Sequence, residues 1–127
     1  MTINSVDSSG WIEFFSSSVH GASFEPAIDA TSALVVPTIT IFEVFRHVQR
    51  VRGDNPAKAA IAVMRRGHVV DLDADLAMAA ASIAKAYRLA MADSIILATA
   101  RAFGATLWTQ DADFAGLDGV KYLPKPA

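Results

Sequence analysis

Short apolar runs alternate with longer helical segments along this chain, and no other feature restricts its fold as much. Residues 33–37 (ALVVP), 68–72 (HVVDL) and 105–109 (ATLWT) have the length and the branched or apolar side chains of buried strands. The segments 38–52 and 74–89 between them repeat apolar residues at helical spacing. Strands that are joined through helices usually run parallel. The order therefore predicts an α/β sandwich around a mainly parallel sheet.

Two weaker segments complete the predicted sheet. Residues 2–7 (TINSVD) form a first strand whose Asn and Ser side chains are unusual for a buried position, and residues 119–123 (GVKYL) form a last or edge strand. The length of 127 residues, with 53 % hydrophobic and 19 % charged content, is typical of a globular protein. We therefore expect one domain over residues 1–127.

The composition excludes several kinds of site. The chain has no cysteine, so disulfides, thiolate metal sites and a cysteine nucleophile are ruled out. A net charge of −2 gives no general attraction for nucleic acid, which must then bind through a local basic patch or bound cations. The first residues lack the features of a signal peptide, and no apolar stretch reaches the ~20 residues of a membrane helix. We expect a cytoplasmic protein that has no membrane partner.

Four acidic residues fall at the carboxyl ends of predicted strands or in the first turns of helices. They are Asp7, Glu43, Asp93 and Asp111. The carboxyl ends of parallel strands lie at one edge of a sheet, where ligands bind. Carboxylates that converge there need cations between them if all are to stay ionised. Mg²⁺ and Mn²⁺, which prefer oxygen ligands, match such a site.

Each acid also has a purely structural interpretation. Asp7 fits the N-cap of the next helix, Asp93 the first turn of another, and Asp111 an ordinary turn. Glu43 fits a capping box with Thr40. The common position of all four at one end of the strands favours a shared site.

Four segments, in this order, resemble the motifs of the PIN domain, and in particular those of the VapC toxins of bacterial toxin–antitoxin pairs. They are VDSSGWIEFF (6–15), VVPTITIFEVFRHV (35–48), LAMADSIILATA (89–100) and LWTQDADF (107–114). The resemblance extends to about Leu123 and so covers nearly the whole chain. It implies a three-layer α/β/α sandwich and a metal-dependent endoribonuclease toxin, which cuts RNA and often transfer RNA.

The resemblance also implies the site and the partners. Its catalytic and metal-binding acids correspond to Asp7, Glu43, Asp93 and Asp111, with Asp113 as a fifth candidate ligand. Asp7 and Asp93 would be the principal ligands of Mg²⁺, for which Mn²⁺ could substitute. Ser8 and Thr109 match the small hydroxyl residues that accompany these acids. The implied partners are an RNA substrate, a cognate antitoxin protein and a second copy of the chain in a homodimer.

The other side chains offer no nucleophilic route to catalysis, which leaves catalysis by a metal ion. The three histidines, His20, His47 and His68, have no nucleophile motif beside them. Cations held by the acids would lower the pKa of a water molecule and bind the scissile phosphate, leaving 5′-phosphate and 3′-hydroxyl ends. An aspartyl-phosphate enzyme is the rival enzyme class, but a haloacid-type phosphatase needs Asp where this chain has Ser9. A non-toxin PIN-fold nuclease and a non-catalytic PIN-like binding module remain alternatives.

Basic and aromatic residues are candidates for contacts with the substrate and the partner. The predicted RNA-binding residues are Arg46, Arg50 and Arg52, although a solvated helix face explains them equally well. The aromatic residues are interpreted mainly as core, with some in an apolar groove for an antitoxin: Trp11, Phe14, Phe15, Phe42 and Phe45. Glu13 is interpreted as a solvated or capping group.

Overall fold

The strands form a five-stranded sheet in which each pair of neighbours is parallel. The computed structural model describes residues 2–127, and its sheet has the order β3-β2-β1-β4-β5. The strands are β1 (Asn4–Val6), β2 (Leu34–Pro37), β3 (His68–Val70), β4 (Thr106–Thr109) and β5 (Val120–Tyr122). The predicted parallel sheet is confirmed, and residues 119–123 supply its edge strand β5.

Six helices within residues 2–127 connect the strands. They are α1 (Ser8–Phe15), α2 (Glu25–Asp29), α3 (Thr38–Arg52), α4 (Asp54–Met64), α5 (Ala74–Tyr87) and α6 (Met91–Ala102). Gly53, with a φ of +97°, lies between α3 and α4 and makes the sharp bend that a side chain would strain. Asp73 caps α5 by accepting a hydrogen bond from the Leu76 amide at 2.8 Å.

Apolar side chains cover both faces of the sheet. Trp108 of β4 packs in a cluster with Val6 of β1, Trp11 of α1 and residues of α2, α3 and α4. Its neighbour Leu107 packs in another cluster with Leu97 and other residues of α6. Because successive side chains of a strand point to opposite faces, the two clusters lie on opposite sides of the sheet. The three-layer α/β/α sandwich is therefore confirmed.

The polar first strand is the centre of the sheet and is buried along its length. The Ser5 hydroxyl donates to the Val35 carbonyl at 2.8 Å, and the Trp108 indole N–H donates to Asn4 Oδ1 at 2.9 Å. Both polar side chains thus have partners, which removes the cost of burying them. This strand is the one that holds Asp7 at its carboxyl end.

Helix length and polarity bear on a membrane location. No helix within residues 2–127 is long and apolar enough to cross a bilayer.

Candidate active site

Asp7 follows β1 directly and begins α1. The Asp7 amide donates to the Trp108 carbonyl at 3.1 Å, so the pairing of β1 with β4 continues to this residue. Its carboxylate accepts a hydrogen bond from the Gly10 amide at 2.9 Å and thereby caps the helix. The predicted N-cap role is confirmed. The cap accounts for only one of the hydrogen bonds that this carboxylate accepts.

The Asp7 carboxylate is buried among hydroxyl donors. Asp7 is only 2 % exposed to solvent. The Ser9 hydroxyl lies 2.8 and 2.9 Å from its two oxygens, and the Thr109 hydroxyl donates to Oδ2 at 2.8 Å. Burial raises the pKa of Asp7 to about 6, although the hydrogen bonds from Gly10, Thr109 and Ser9 act in the opposite direction. The site therefore holds this carboxylate in one orientation but disfavours its charge.

Glu43 lies in the second turn of α3 and faces the start of α1. The Ser8 hydroxyl donates to Glu43 Oε1 at 2.6 Å. The capping box with Thr40 is wrong: α3 begins at Thr38 after Pro37, and the Thr40 hydroxyl donates to the Pro37 carbonyl at 2.6 Å. Glu43 is thus free of any capping role at the helix start and is oriented by Ser8.

Asp93 is in the first turn of α6, as the sequence predicted. Its pKa is raised to about 6 by partial burial, then by the charges of Asp111, Asp7, Glu43 and Asp113. The helix N-terminus favours a carboxylate, but the neighbouring acids oppose it. Since all four acids act on Asp93, the structure brings the five predicted acids into one electrostatic cluster.

Asp111 and Asp113 are in the short 3₁₀ turn that follows β4. The Asp111 amide donates to the Thr109 hydroxyl, and Asp111 Oδ1 accepts from the Asp113 amide, both at 2.9 Å. The turn role predicted for these acids is therefore present. Carboxylate oxygens of Asp93, Asp111 and Asp113 also lie within 4.8 Å of one another. This group of three acids could hold a metal ion. Asp7 and Glu43, which were also predicted as ligands, are outside this group, although their charges act on Asp93.

The donor set fits a hard divalent cation. All the groups that converge are carboxylates and hydroxyls, the ligands that Mg²⁺ and Mn²⁺ prefer. Within residues 2–127, the one salt bridge joins Lys125 to Glu13, so no Lys or Arg neutralises the cluster. Burial and mutual repulsion already raise two pKa values here. A bound cation would supply the missing positive charge.

Two neighbours of Asp7 were not predicted from the sequence. Ser9 contacts both carboxylate oxygens, and Gly10 supplies the capping amide. A Cβ on Gly10 would lie 2.7 Å from Val6 Cγ1 and 2.8 Å from a ring carbon of Phe24. The small residues after Asp7 in VDSSG were the available signal, because only small side chains allow this close approach of α1.

Glu13 is also different from its prediction as a solvated or capping group. The residue is only 7 % exposed, and its carboxylate contacts Lys125 at 3.1 Å and Gln110 at 3.2 Å. The hydroxyls of Ser16 and Ser18 donate to its other oxygen at 3.1 and 2.6 Å. Gln110 immediately precedes Asp111 in the chain. Glu13 therefore joins α1 to the turn that carries two acids of the site.

The basic and aromatic candidates are divided between two neighbouring surfaces. Arg46 and Arg50 line a cleft of about 330 Å³ that also contains Ser8 and Glu43. Arg52 lies apart from them in a larger apolar groove between α1, α3 and α4. Trp11 is buried, and Phe14, Phe15 and Phe45 pack against the core, as predicted. Phe15 also lines the apolar groove, whereas Phe42 is exposed and lines the cleft.

Solved structures with the same fold include bacterial toxins. The chain is 25 % identical to a protein in a toxin–antitoxin complex from Klebsiella pneumoniae, with a TM-score of 0.77 over 93 % of this chain and 95 % of that one. It is 17 % identical to a chain of the DNA-bound VapBC from Salmonella typhimurium, with a TM-score of 0.76 over 98 % of both chains.

VapC20 from Mycobacterium tuberculosis, described as a sarcin-ricin loop cleaving toxin, has a similar fold. It is 17 % identical, with a TM-score of 0.69 over 87 % of this chain and 90 % of that chain. No curated protein sequence matches this chain significantly. The sequence model of the PIN domain matches residues 5–120, which include all five acids of the cluster. The chain belongs to the PIN domain family.

Proposed function

We propose that this protein is a metal-dependent endoribonuclease toxin of a type II toxin–antitoxin pair. The observation that carries the proposal is the cluster of five acids from four parts of the fold, which no Lys or Arg within residues 2–127 neutralises. A purely structural site would not be expected to gather repelling carboxylates. The membership of the PIN family supports the same function, as does the fold shared with VapC20 and with chains of two toxin–antitoxin complexes.

The residues of the cluster have separable tasks in this proposal. Asp93, Asp111 and Asp113 would hold the cation, as their mutual distances allow, and Asp7 would complete the site. A bound Mg²⁺ or Mn²⁺ supplies charge that attracts the scissile phosphate and acidifies water. Ser9 and Thr109 fix the Asp7 carboxylate by their hydrogen bonds. This preorganisation means that little reorientation is needed when the phosphodiester arrives.

Glu43 is the acid best placed to contact the substrate side of the site. It lines the cleft that extends from the cluster, and Ser8 holds one of its oxygens at 2.6 Å. The second oxygen is left for a water molecule or for a hydroxyl of the substrate. We therefore assign Glu43 the task of orienting the attacking water.

Cleavage of RNA with added Mg²⁺ or Mn²⁺ tests the proposal. The unsubstituted protein should cut RNA, whereas Asp7→Asn and Asp93→Asn should lose at least about a hundredfold in rate, the scale seen when preorganised electrostatic groups are removed. Asp118→Asn is the matched control, because Asp118 is an exposed acid outside the cluster. Equal cleavage by all four proteins would remove the proposed site.

The ends of the products test the chemistry separately. Attack by water in line with the leaving group gives 5′-phosphate and 3′-hydroxyl ends. Product analysis by enzymatic end-labelling distinguishes these from 2′,3′-cyclic phosphates. Cyclic phosphate ends would contradict hydrolysis by water and would instead indicate attack by the ribose hydroxyl.

An apolar groove supports an antitoxin as the protein partner. The groove has a volume of about 370 Å³ and lies between α1, α3 and α4, with Ile12, Phe15, Val48 and Val63 among its lining residues. An amphipathic segment can bury its apolar face in such a groove. The adjoining cleft leads to the acids, so an antitoxin side chain could reach them. A cationic Arg at that point would replace the charge of the metal and inhibit the enzyme.

Growth measurements test the toxin assignment. Induced expression of the protein should arrest growth, and co-expression of a small protein encoded beside it should restore growth. Cleavage of RNA in vitro without growth arrest would favour a non-toxin PIN-fold nuclease.

Exposed apolar residues on α5 and α6, including Met78, Tyr87 and Met91, offer a surface for the proposed homodimer. Light scattering during size-exclusion chromatography measures the mass directly.

A further inference from the structure

One of the residues that line the cleft beside Glu43 is an exposed aromatic ring. Phe42 is 59 % exposed, although it directly precedes an acid of the site. The helix buries Thr40, Val44 and Val48 on another face, so the core does not use Phe42. Its ring instead lines the cleft, and a flat aromatic face is a surface on which a nucleic-acid base can stack.

Two arginines extend the same face of α3. Phe42, Arg46 and Arg50 follow one another at intervals of four residues, which places them along one side of the helix. At about 1.5 Å per residue, Arg50 lies roughly 12 Å along the axis from Phe42. Both arginines are exposed, and neither forms a salt bridge within residues 2–127. Arg50 Nη2 lies 3.4 Å from His47 Nδ1, but no carboxylate neutralises either guanidinium group within residues 2–127.

The cleft reaches the acid cluster at Glu43. Ser8 and Glu43 line it, and these two residues are joined by a hydrogen bond of 2.6 Å. A ligand in the cleft would therefore have one end at the acids and the other at the arginines. Negative charge on that ligand must lie toward Arg46 and Arg50, and a flat apolar group can lie on Phe42. A nucleotide has both features.

We propose that this cleft binds an unpaired nucleotide of the substrate next to the scissile phosphate, with its base stacked on Phe42 and its backbone phosphates bound by Arg46 and Arg50. This inference rests on the proposed ribonuclease function and adds the side chains that position the substrate beside the acids. Stacking on an exposed ring needs a base that is free of its own neighbours. Phe42 and the two arginines are positioning residues, since none of them belongs to the acid cluster.

Substitutions at Phe42 test the stacking interaction. In an Asp93→Asn background, which should prevent cleavage, binding of a fluorescent unpaired oligoribonucleotide is measured by anisotropy. Phe42→Leu should weaken binding about tenfold, whereas Phe42→Trp should retain it, because only Leu removes the ring. Val19→Ala is the control, since Val19 is 94 % exposed and lines neither the cleft nor the groove. Thermal unfolding should be unchanged in all of these variants.

Replacement of the arginines tests the binding of the phosphates. The double variant Arg46→Ala/Arg50→Ala should bind more weakly and should show a salt dependence that is less steep by about 0.7 for each phosphate that is no longer neutralised. Arg65→Ala/Arg66→Ala removes the same charge from the end of α4, outside the cleft, and should keep the original slope. Equal slopes for the two double variants would overturn this part of the proposal.

The outcomes separate this inference from the proposed function. If Phe42→Leu and Arg46→Ala/Arg50→Ala both leave RNA binding and metal-dependent cleavage unchanged, the inference is overturned and the nuclease function stands. No binding or cleavage of RNA by the unsubstituted protein would overturn both. Loss of antitoxin binding in Phe42→Leu, with RNA binding unchanged, would assign the cleft to the protein partner and likewise overturn the inference.

Discussion

At the scale of single residues, Asp7 and Asp93 are charged groups held where charge is unfavourable. Burial is the main reason that the pKa of each is about 6, compared with 3.8 for an ordinary Asp. Between those values the folded protein retains protons that the unfolded chain has released. The free energy of unfolding therefore falls as the pH rises from about 4 to about 6. Above this range, the metal-free fold carries the full cost of both charges.

Asp93→Asn should stabilise the metal-free protein at pH 7.5. We expect a gain of about 1 kcal/mol, allowing for solvent screening at this partly buried side chain, and no gain at pH 4. Thermal unfolding with a chelator present measures both. Mg²⁺ or Mn²⁺ should raise the Tm of the unsubstituted protein at pH 7.5 and should have much less effect on Asp93→Asn. If neither cation changes the Tm of the unsubstituted protein, the metal site is contradicted.

Glu13 is the opposite case, a carboxylate that its surroundings keep ionised. Hydrogen bonding from Ser18 and the interaction with Lys125 are the main reasons that its pKa is lowered to about 2. Its contribution to stability is therefore complete above the ordinary pKa of 4.5 and is lost as the pH falls through about 2.

Glu13→Gln should destabilise the protein by about 1 kcal/mol at pH 7, because a charged acceptor of several hydrogen bonds becomes neutral. The difference from the unsubstituted protein should shrink between pH 4.5 and pH 2. Urea denaturation at several pH values checks this. Lys125→Ala is the comparison variant and should cost less, since Lys125 is mostly exposed. A pH-independent difference would show that the charge of Glu13 is not the cause.

At the scale of secondary-structure elements, the end of β4 connects two parts of the site. The Thr109 hydroxyl donates to Asp7 Oδ2 at 2.8 Å and accepts from the Asp111 amide at 2.9 Å. One side chain thus orients the acid after β1 and the turn after β4. Since these strands are neighbours in the sheet, their pairing determines the distance between the two acids.

Thr109→Val keeps the shape of the side chain but removes both hydrogen bonds. We expect a decrease of about 1–3 kcal/mol in the free energy of unfolding, because Thr109 is fully buried and its two partners are each deprived of a hydrogen bond. Metal-dependent cleavage should fall with it, while Thr109→Ser should retain most of both. Denaturation and RNA cleavage assays measure these effects. Activity that survives Thr109→Val would show that Asp7 and Asp111 are oriented without this hydroxyl.

At the scale of the whole molecule, the site and the apolar groove are parts of one continuous surface. Both the groove and the cleft are lined by residues of α1 and α3, including Ile12 and His47, and the cleft leads from the groove to Glu43. A partner in the groove is therefore adjacent to the acids, which explains how one protein could both bind and inhibit. Inhibition and substrate binding would compete for the cleft.

Val51→Asp should separate partner binding from catalysis. Val51 lines the groove and is 61 % exposed, so a charge there should disturb an apolar partner without unfolding the chain. We expect RNA cleavage to be unchanged and relief of growth arrest by the antitoxin to be abolished. Val19→Asp, at a highly exposed position outside the groove, is the control. Relief that persists in Val51→Asp would move the partner to another surface.

Local patterns were sufficient to predict much of this fold. Helical spacing identified α3 with its observed bounds, 38–52, and α5 with its observed start at residue 74. The four acids were assigned to one edge of the sheet because parallel strands share the direction of their carboxyl ends. These patterns involve residues only a few positions apart, so they can be read directly from the sequence.

The burial of β1 and of Glu13 could not be predicted in that way. Asn4 is buried because Trp108, more than a hundred residues away in the chain, donates to it. Glu13 is buried because Gln110 and Lys125 come to it from the other end of the chain. These contacts are set by the packing of the sheet. They cannot be predicted from the residues adjacent in the sequence.

The sequence by itself determined the alternation of strands and helices, the absence of cysteine chemistry and the presence of acids after the strands. Only the tertiary structure decided which oxygens meet, with Asp93, Asp111 and Asp113 within reach of one ion and Asp7 held by Ser9 and Thr109. It also decided that Phe42 faces the cleft. The physical reason is that backbone periodicity is local, whereas distances between carboxylates and the exposure of a ring depend on how distant elements pack.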